Sequence, residues 1–163
     1  MTSSWKTFQT AEPDFADTVR KRFEAYTHHV LGTLRKDGSP RLSGLEVNFR
    51  HGELWLGMMP GSRKADDLRR DPRFALHANP GPGTGMGGGD VRLSGRAVEV
   101  TDPGSLSRFA DDTEEPGPFV LFRAELTEAL RTTVEQDRPR PRARLPARPP
   151  TGPHLPRRHP LGR

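Results

Sequence analysis

Hydrophobic positions recur with two different periods along the first 130 residues of this chain. Phe15, Val19, Phe23 and Tyr26 follow one another at helical spacing, which predicts an amphipathic helix over residues 15–27. The later segments instead alternate between apolar and polar positions, as half-buried strands do. The predicted strands span residues 30–35, 41–49, 53–59, 73–78, 91–100 and 119–130.

Turn residues separate the predicted strands at regular intervals. A hairpin turn is predicted at residues 36–39 and another at 50–52, because both contain glycine between alternating segments. Short helices are predicted at 62–70, where Asp71-Pro72 ends the helix, and at 103–110. The pattern predicts a mainly β (α+β) protein, an antiparallel meander of six strands that closes into a barrel with small flanking helices.

The positive charge of the chain is concentrated at its end. Residues 138–163 hold eight arginines, eight prolines, two histidines and no acid, whereas residues 1–137 hold 18 basic and 21 acidic residues, a balance of −3. We therefore predict a domain over residues 1–137 and a disordered tail over 138–163, since a basic, proline-rich segment cannot bury apolar surface. Any polyanion affinity of that tail would be sequence-independent, so no specific nucleic-acid partner is expected.

The tail has two explanations that composition alone does not separate. With 22 arginines against four lysines, the coding sequence is expected to be GC-rich, and an out-of-frame GC-rich stretch encodes mainly Arg, Pro, Ala and Gly. The tail is either a genuine disordered extension or the product of a frameshift.

Several protein classes lack support in the sequence. The chain has no cysteine, no 18-residue apolar run and no secretory signal, so we expect a cytoplasmic protein with no membrane partner. Residues 83–88 match the G-x-G-x-x-G dinucleotide fingerprint, but a strand follows where a helix is required. No histidines have metal-ligand spacing and no serine lies in a nucleophile motif, so we assign no metal site and no catalytic residue.

The segment opened by Ser62, Arg63 and Lys64 is the strongest candidate for a binding site. Ser62 is placed to cap the helix, and the free N–H groups of its first turn, together with two cations, favour an anion such as a phosphate. On residue types alone, a solvated helix face that binds nothing is the more ordinary interpretation of such a charged segment.

The order of motifs favours the phosphate interpretation. Four motifs follow one another along the chain: T-L-R-K-D-G-S-P-R at residues 33–41, G-E-L-W-L at 52–56, S-R-K at 62–64 and R-R-D-P-R at 69–73. This order resembles the pyridoxamine 5′-phosphate oxidase-like family of FMN- and F420-binding split barrels, over roughly residues 15–130. The resemblance implies a six-stranded antiparallel split β-barrel that forms a homodimer, with two cofactor sites at the subunit interface.

The resemblance also implies which residues bind the cofactor. One group flanks its ring system, and a second group at the start of the 62–70 helix holds its phosphate. The ring group is Arg41, Leu42, Ser43, Gly44, Met58 and Met59, and the phosphate group is Ser62, Arg63 and Lys64. Gly44 would allow close backbone approach, the two methionines would supply soft apolar contacts, and Arg41 would meet transient charge.

The implied activity is that of a flavin- or deazaflavin-dependent oxidoreductase, with hydride transfer to or from a small conjugated substrate. The sequence does not separate FMN from F420, because each presents a ring and a phosphate. An alternative is a non-catalytic flavin or haem binding or storage protein. Vitamin B6 oxidation is not expected, because the C-terminal arginines and histidine that hold the substrate phosphate in pyridoxamine phosphate oxidases have no counterpart here.

Overall fold

A computed structural model describes residues 1–82, 89–112 and 117–133 of the chain. Four helices and seven strands lie within these residues. The helices are α1 (Trp5–Ala11), α2 (Pro13–Glu24), α3 (Arg63–Arg70) and α4 (Pro103–Asp111). The strands are β1 (His29–Leu34), β2 (Pro40–Leu45), β3 (Val47–Arg50), β4 (Glu53–Met58), β5 (Arg73–His77), β6 (Asp90–Glu99) and β7 (Val120–Thr132).

All described strands form one antiparallel sheet in the order β2-β1-β5-β6-β7-β4-β3. The mainly β class with small helices is therefore confirmed, but the sheet has seven strands rather than six. The single strand predicted over residues 41–49 is wrong: it divides at Glu46 into β2 and β3, because the two halves pair with different neighbours. β2 pairs with β1, whereas β3 pairs with β4.

The division at Glu46 explains why the sheet curls. β2 and β3 lie at opposite edges of the sheet, yet one residue separates them along the chain. Because one residue spans only about 3.5 Å, the two edges must come together, and the sheet rolls into a barrel that is split between them. Residues that precede the split, in β2, and residues that follow it, in β4, thereby become neighbours.

The core fills the inside of the rolled sheet and is closed by α2. Its largest fully buried side chains include Trp5, Phe23 and Phe122, and aliphatic side chains of β1, β4, β5, β6 and β7 surround them. A smaller cluster of Trp55, Phe109 and Leu121 packs α4 against the outer face of the sheet. The sheet is thus covered on both faces at this end, as a layered domain requires.

The sequence pattern did not predict the N-terminal helix α1. Ser4 caps it, since the Thr7 N–H donates to Ser4 Oγ at 3.2 Å, and Trp5 contributes its only buried side chain. The Trp5 ring meets Phe49 at a centroid distance of 4.5 Å, edge to face. The helix predicted over residues 15–27 corresponds to α2, which begins two residues earlier and ends at Glu24.

Two predicted segments lie outside the described residues. These are the glycine-rich residues 83–88 and the tail over 138–163. Because the tail is not described, the domain boundary at residue 137 stays a prediction. Among the described helices, none is long and apolar enough to cross a membrane. The expected cytoplasmic location also stays a prediction.

Candidate functional site

The first turn of α3 lies against β2, so the two groups of predicted site residues meet. Gly61 precedes the helix with φ of 73°, a left-handed conformation that glycine adopts without strain. Ser62 is the N-cap by its backbone, but its side chain makes no capping hydrogen bond, so the predicted hydroxyl cap is wrong. Its carbonyl accepts from the N–H groups of Ala65 and Asp66, which leaves those of Arg63 and Lys64 without a helix partner.

Lys64 connects the helix to the strand directly. Its Nζ donates to the Gly44 carbonyl oxygen at 2.8 Å, although the two residues are 20 positions apart. Both residues line a cavity of about 490 Å³, which we call the ring cavity. Its lining residues are His28, Gly44, Leu45, Glu46, Asn48, Gly57, Met58, Met59, Lys64 and Phe109.

The ring cavity has a smooth backbone wall at its two glycines. A Cβ atom added at Gly44 would meet nothing within 4 Å, and one added at Gly57 would meet only the Phe109 ring at 3.8 Å. Met58 is buried beneath this wall, whereas Met59 is 78% exposed at its rim. A flat group can therefore lie against the backbone here, and the methionine side chains supply apolar, polarizable contacts.

A second cavity, of about 630 Å³, lies on the other side of α3, and we call it the basic cleft. Five cations and three acids line it. They are Arg35, Lys36, Arg41, Arg63 and Arg70 on the basic side and Asp37, Asp66 and Asp67 on the acidic side. Since Arg63 and Lys64 are adjacent, the start of α3 separates the two cavities and contributes one cation to each.

Asp67 is the residue of this region that sequence reasoning missed. Its side chain is 3% exposed, and three donors surround it. Arg41 Nε donates to its Oδ2 at 2.6 Å, Thr33 Oγ1 donates to the same oxygen at 2.8 Å, and Arg70 Nη2 donates to Oδ1 at 2.9 Å. Arg70 also donates to the Leu34 carbonyl oxygen. One carboxylate thus fastens α3 to both strands of the β1–β2 hairpin.

The charged form of Asp67 is favoured in this setting. Burial alone would raise the pKa of its carboxyl, but the hydrogen bonds from Arg41, Arg70 and Thr33 outweigh that penalty, and the pKa lies below its ordinary value. The helix periodicity does not indicate this burial, because Asp67 is not three or four positions from Ala65 or Leu68, the other buried residues of α3. Its burial follows from the contacts with the β1–β2 hairpin.

Two hydroxyls in the predicted site are buried without a hydrogen-bond partner. They are Ser43 Oγ on β2 and Ser62 Oγ at the start of α3. An unsatisfied buried polar atom costs free energy, and a bound polar group would relieve that cost. Together with Arg63, Lys64 and the free N–H groups of α3, they form a donor set that fits a phosphate and the polar edge of a ring.

The predicted site residues therefore divide between the two cavities. Gly44, Met58, Met59 and Lys64 line the ring cavity, and Arg41 and Arg63 line the basic cleft. Leu42, Ser43 and Ser62 line neither of them. Leu42 is 75% exposed, and its side chain is one of the largest exposed apolar groups in the described part of the chain.

The four histidines that the structure describes are not grouped as metal ligands. Among the described residues, no three His, Asp or Glu side chains cluster closely enough to hold a metal ion. His28 lines the ring cavity and lies 3.4 Å from Glu46, whereas His29 is 3% exposed and accepts the Asn79 N–H at Nδ1. Burial lowers the pKa of His29, which favours its neutral form.

Comparison with known families identifies one match over most of the chain. The family model described as pyridoxamine 5′-phosphate oxidase matches residues 15–133, which include every strand and every residue of both cavities. No curated protein sequence matches the chain significantly.

Solved structures with the same fold include proteins of differing description. A conserved hypothetical protein from Mycobacterium tuberculosis is 25% identical, with a TM-score of 0.54 over 72% of this chain and 81% of its own. General stress protein 26 from Bacillus anthracis is 17% identical, with a TM-score of 0.54 over 71% and 97%. HutZ, the haem storage protein from Vibrio cholerae, is 14% identical, with a TM-score of 0.51 over 74% and 93%.

Proposed function

This chain belongs to the pyridoxamine 5′-phosphate oxidase family, and we propose that it binds FMN or F420 between β2, the end of β4 and the start of α3. We further propose that it acts as a flavin- or deazaflavin-dependent oxidoreductase on a small conjugated substrate. The observation that carries this proposal is the Lys64–Gly44 contact, because it brings the cation-bearing helix start to the wall of the ring cavity.

The phosphate would be held at the start of α3. Lys64 and Arg63 supply positive charge, Ser62 Oγ supplies a hydroxyl donor that has no partner among the described residues, and the free N–H groups of the first turn complete the set. Lys64 already donates to Gly44, so its ammonium group is held in place before the ligand arrives. A preorganised donor costs little ordering entropy on binding.

The ring system would lie along β2 in the ring cavity. Gly44 leaves open space at the backbone, and Met58 and Met59 supply the apolar floor and rim of the cavity. Leu42 and Ser43 precede Gly44 on the same strand. Arg41 lines the basic cleft rather than the ring cavity and donates Nε–H to Asp67, so it would position β2 against α3 and act on the ring only through that strand.

The bound cofactor would supply hydride transfer, and the protein would position it. Phe109 and the methionines would exclude water from one side of the ring, since they line the cavity with apolar surface. No described residue is required as a nucleophile for this chemistry, and none is assigned that role.

We propose that the cofactor site is completed by a second copy of the chain. Leu42 and Met59 are both more than 70% exposed; Met59 lines the ring cavity and Leu42 lies two residues before Gly44 on β2, so the monomer presents apolar surface beside its own site. Burial of that surface in a homodimer would cover the open side of the cavity.

Turnover of the reduced cofactor tests the oxidoreductase proposal. Purified protein loaded with reduced FMN or reduced F420 is mixed anaerobically with enones and quinones, and reoxidation is followed by absorbance. The proposal expects substrate-dependent reoxidation at least tenfold faster than that of free cofactor. Stoichiometric binding without acceleration by any acceptor would contradict turnover and favour a storage role.

Haem storage is the second candidate, and one observation favours it. His28 and two methionines line the ring cavity, and both residue types bind haem iron as axial ligands. A haem titration should then give a Soret band that His28→Ala weakens. His29 is not a candidate ligand, because it is buried and does not line this cavity. A haem spectrum that His28→Ala leaves unchanged would contradict this candidate.

A further inference from the structure

A third cavity lies beneath α4, on the outer face of the sheet. Its volume is about 190 Å³, and we call it the outer cavity. Its lining residues are His51, Glu53, Trp55, Ser105, Arg108, Phe109 and Arg123. The sheet forms the floor, where Trp55 on β4 is the registered partner of Arg123 on β7. The roof is α4, whose residues 105, 108 and 109 lie on one helical face.

One end of the outer cavity is closed by a polar contact between the sheet and the helix. His51 Nε2 lies 2.7 Å from Asp112 Oδ2, and this contact joins the β3–β4 turn to the end of α4. The Trp55 ring donates its Nε1–H to the Arg50 carbonyl oxygen, so its orientation is fixed. Trp55 and Phe109 meet edge to face with centroids 6.2 Å apart, and they give the cavity an aromatic wall.

The charged groups of the outer cavity are left without partners across it. Glu53 Oε2 is buried and accepts no hydrogen bond from a described residue, although two arginines line the same space. No hydrogen bond or ion pair joins Arg108 to another described residue, and Arg123 pairs with Glu125 at 3.2 Å instead. Burial raises the pKa of Glu53, and the nearby charge of Arg123 opposes this only in part. Glu53 and Arg108 line the same cavity, and neither side chain has a hydrogen-bond partner among the described residues.

The size of the outer cavity limits what can bridge these groups. A cavity of about 150 Å³ holds benzene, so this one has room for a single ring with small polar substituents. The bridging molecule needs an anionic group for Arg108 and an N–H or O–H donor for Glu53, and a flat apolar body suits the aromatic wall.

We propose that the outer cavity binds a monocyclic aromatic carboxylate that carries a hydrogen-bond donor opposite its carboxylate. The carboxylate pairs with Arg108, the donor reaches Glu53, and the ring packs against Trp55 and Phe109. The site is distinct from the proposed cofactor site, but Phe109 lines both cavities, so the occupant of one contacts a wall of the other.

The test is a calorimetric titration of the full chain with p-aminobenzoate, without any added flavin or deazaflavin. Its outcome is thereby independent of whether the cofactor proposal holds. Benzoate, which lacks the donor, and aniline, which lacks the carboxylate, are the ligand controls. The protein variants are Arg108→Gln and Glu53→Gln, with Arg92→Gln as the matched control because Arg92 is an exposed arginine on β6 outside the cavity.

We expect p-aminobenzoate to bind with a dissociation constant of about 1 mM or tighter, as its size allows. Arg108→Gln should weaken binding at least tenfold, and Arg92→Gln should leave it unchanged. Glu53→Gln should reduce the ratio of the affinity for p-aminobenzoate to that for benzoate. This variant tests the proposal even if Arg108→Gln fails to fold. No measurable binding, or equal binding by all variants, would overturn the proposal and leave a cavity filled by water.

Discussion

Asp67 and Arg41 form a partly buried ion pair, 2.6 Å between Oδ2 and Nε, that joins the site helix to the site strand. The two residues are 26 positions apart, and only Arg41 was among the predicted site residues. The pair fixes where α3 begins relative to β2, and with it the approach of Lys64 to Gly44. A carboxylate that lines the basic cleft can therefore set the geometry of the ring cavity on the other side of α3.

Replacing Asp67 with Asn should destabilise the fold. The change removes the charge that compensates Arg41, whose side chain is only 20% exposed, and leaves an amide where two arginines need an acceptor. We expect a loss of about 2–3 kcal/mol in the free energy of unfolding, measured by urea denaturation. Asp66→Asn is the control, because Asp66 is exposed on the same helix. A similar loss in both variants would contradict the specific role of Asp67.

Acid should lower the stability of the fold, because the carboxyls of Asp67 and Asp71 have lowered pKa values in the folded state. Asp67 has a folded-state pKa below its ordinary value for the reasons given above, and hydrogen bonds from Arg73 lower that of Asp71 to about 2. The unfolded chain then takes up protons first as pH falls below about 3.9, so stability is present above that pH and is lost below it. The melting temperature between pH 5 and 2 measures this loss, which Asp67→Asn should reduce.

His29 should make stability depend on pH near neutrality. Burial lowers its pKa, although hydrogen bonds to the backbone of Phe23 and Tyr26 partly oppose this, and Nδ1 must be neutral to accept the Asn79 N–H. Stability is therefore full above about pH 6.5 and declines as pH falls through the lowered folded-state pKa. In the wild-type protein the melting temperature should fall as pH is lowered from 7.5 to 5. This dependence on pH should be weaker in His29→Gln and unchanged in His28→Gln.

Two glycine substitutions should separate binding from folding. A Cβ at Gly44 meets nothing within 4 Å, so Gly44→Ala should change the free energy of unfolding by no more than about 0.5 kcal/mol while it weakens cofactor binding about tenfold. A Cβ at Gly95 would overlap the Glu125 carbonyl oxygen at the register shift between β6 and β7, so Gly95→Ala should destabilise the fold. Unchanged cofactor binding by Gly44→Ala would contradict the ring position.

Helix α1 should be part of the folding unit rather than an appendage. Trp5 is 1% exposed and packs on Phe49, so Trp5→Ala should cost about 3–5 kcal/mol. Lys6→Ala, on the exposed face of the same helix, should cost little. Chemical denaturation of both variants measures the difference. Comparable stability of the two would show that α1 packs loosely.

The alternating pattern was sufficient to predict most strands but not the change of partner at Glu46. Leu45, Glu46 and Val47 continue the alternation through the break, so a period of two carries no information about which neighbour each half pairs with. The helix α1 was missed for a related reason. Only Trp5 of its seven residues is buried, so the segment has no apolar stripe to recognise.

The prediction of the candidate site depended on the order of motifs rather than on residue type alone. Lys64 and Gly44 were assigned from the motif order, and the structure brings them together at 2.8 Å. The separation of Arg41 from the ring cavity was not predictable, because it depends on Asp67, a tertiary contact that no local pattern encodes. The outer cavity likewise depends on α4 crossing β4 and β7, which only the assembled sheet reveals.

A fluorescence titration of the protein with FMN and with F420 tests whether the start of α3 holds the cofactor phosphate. Wild type, Lys64→Ala and the matched surface control Lys21→Ala are compared at low and moderate salt, each as the full chain and as the chain ending at Asp137. The account predicts that one cofactor binds wild type and Lys21→Ala alike and binds Lys64→Ala at least tenfold more weakly. Binding that Lys64→Ala leaves unchanged, or no binding of either cofactor by either length of chain, would contradict the assignment of the phosphate to α3.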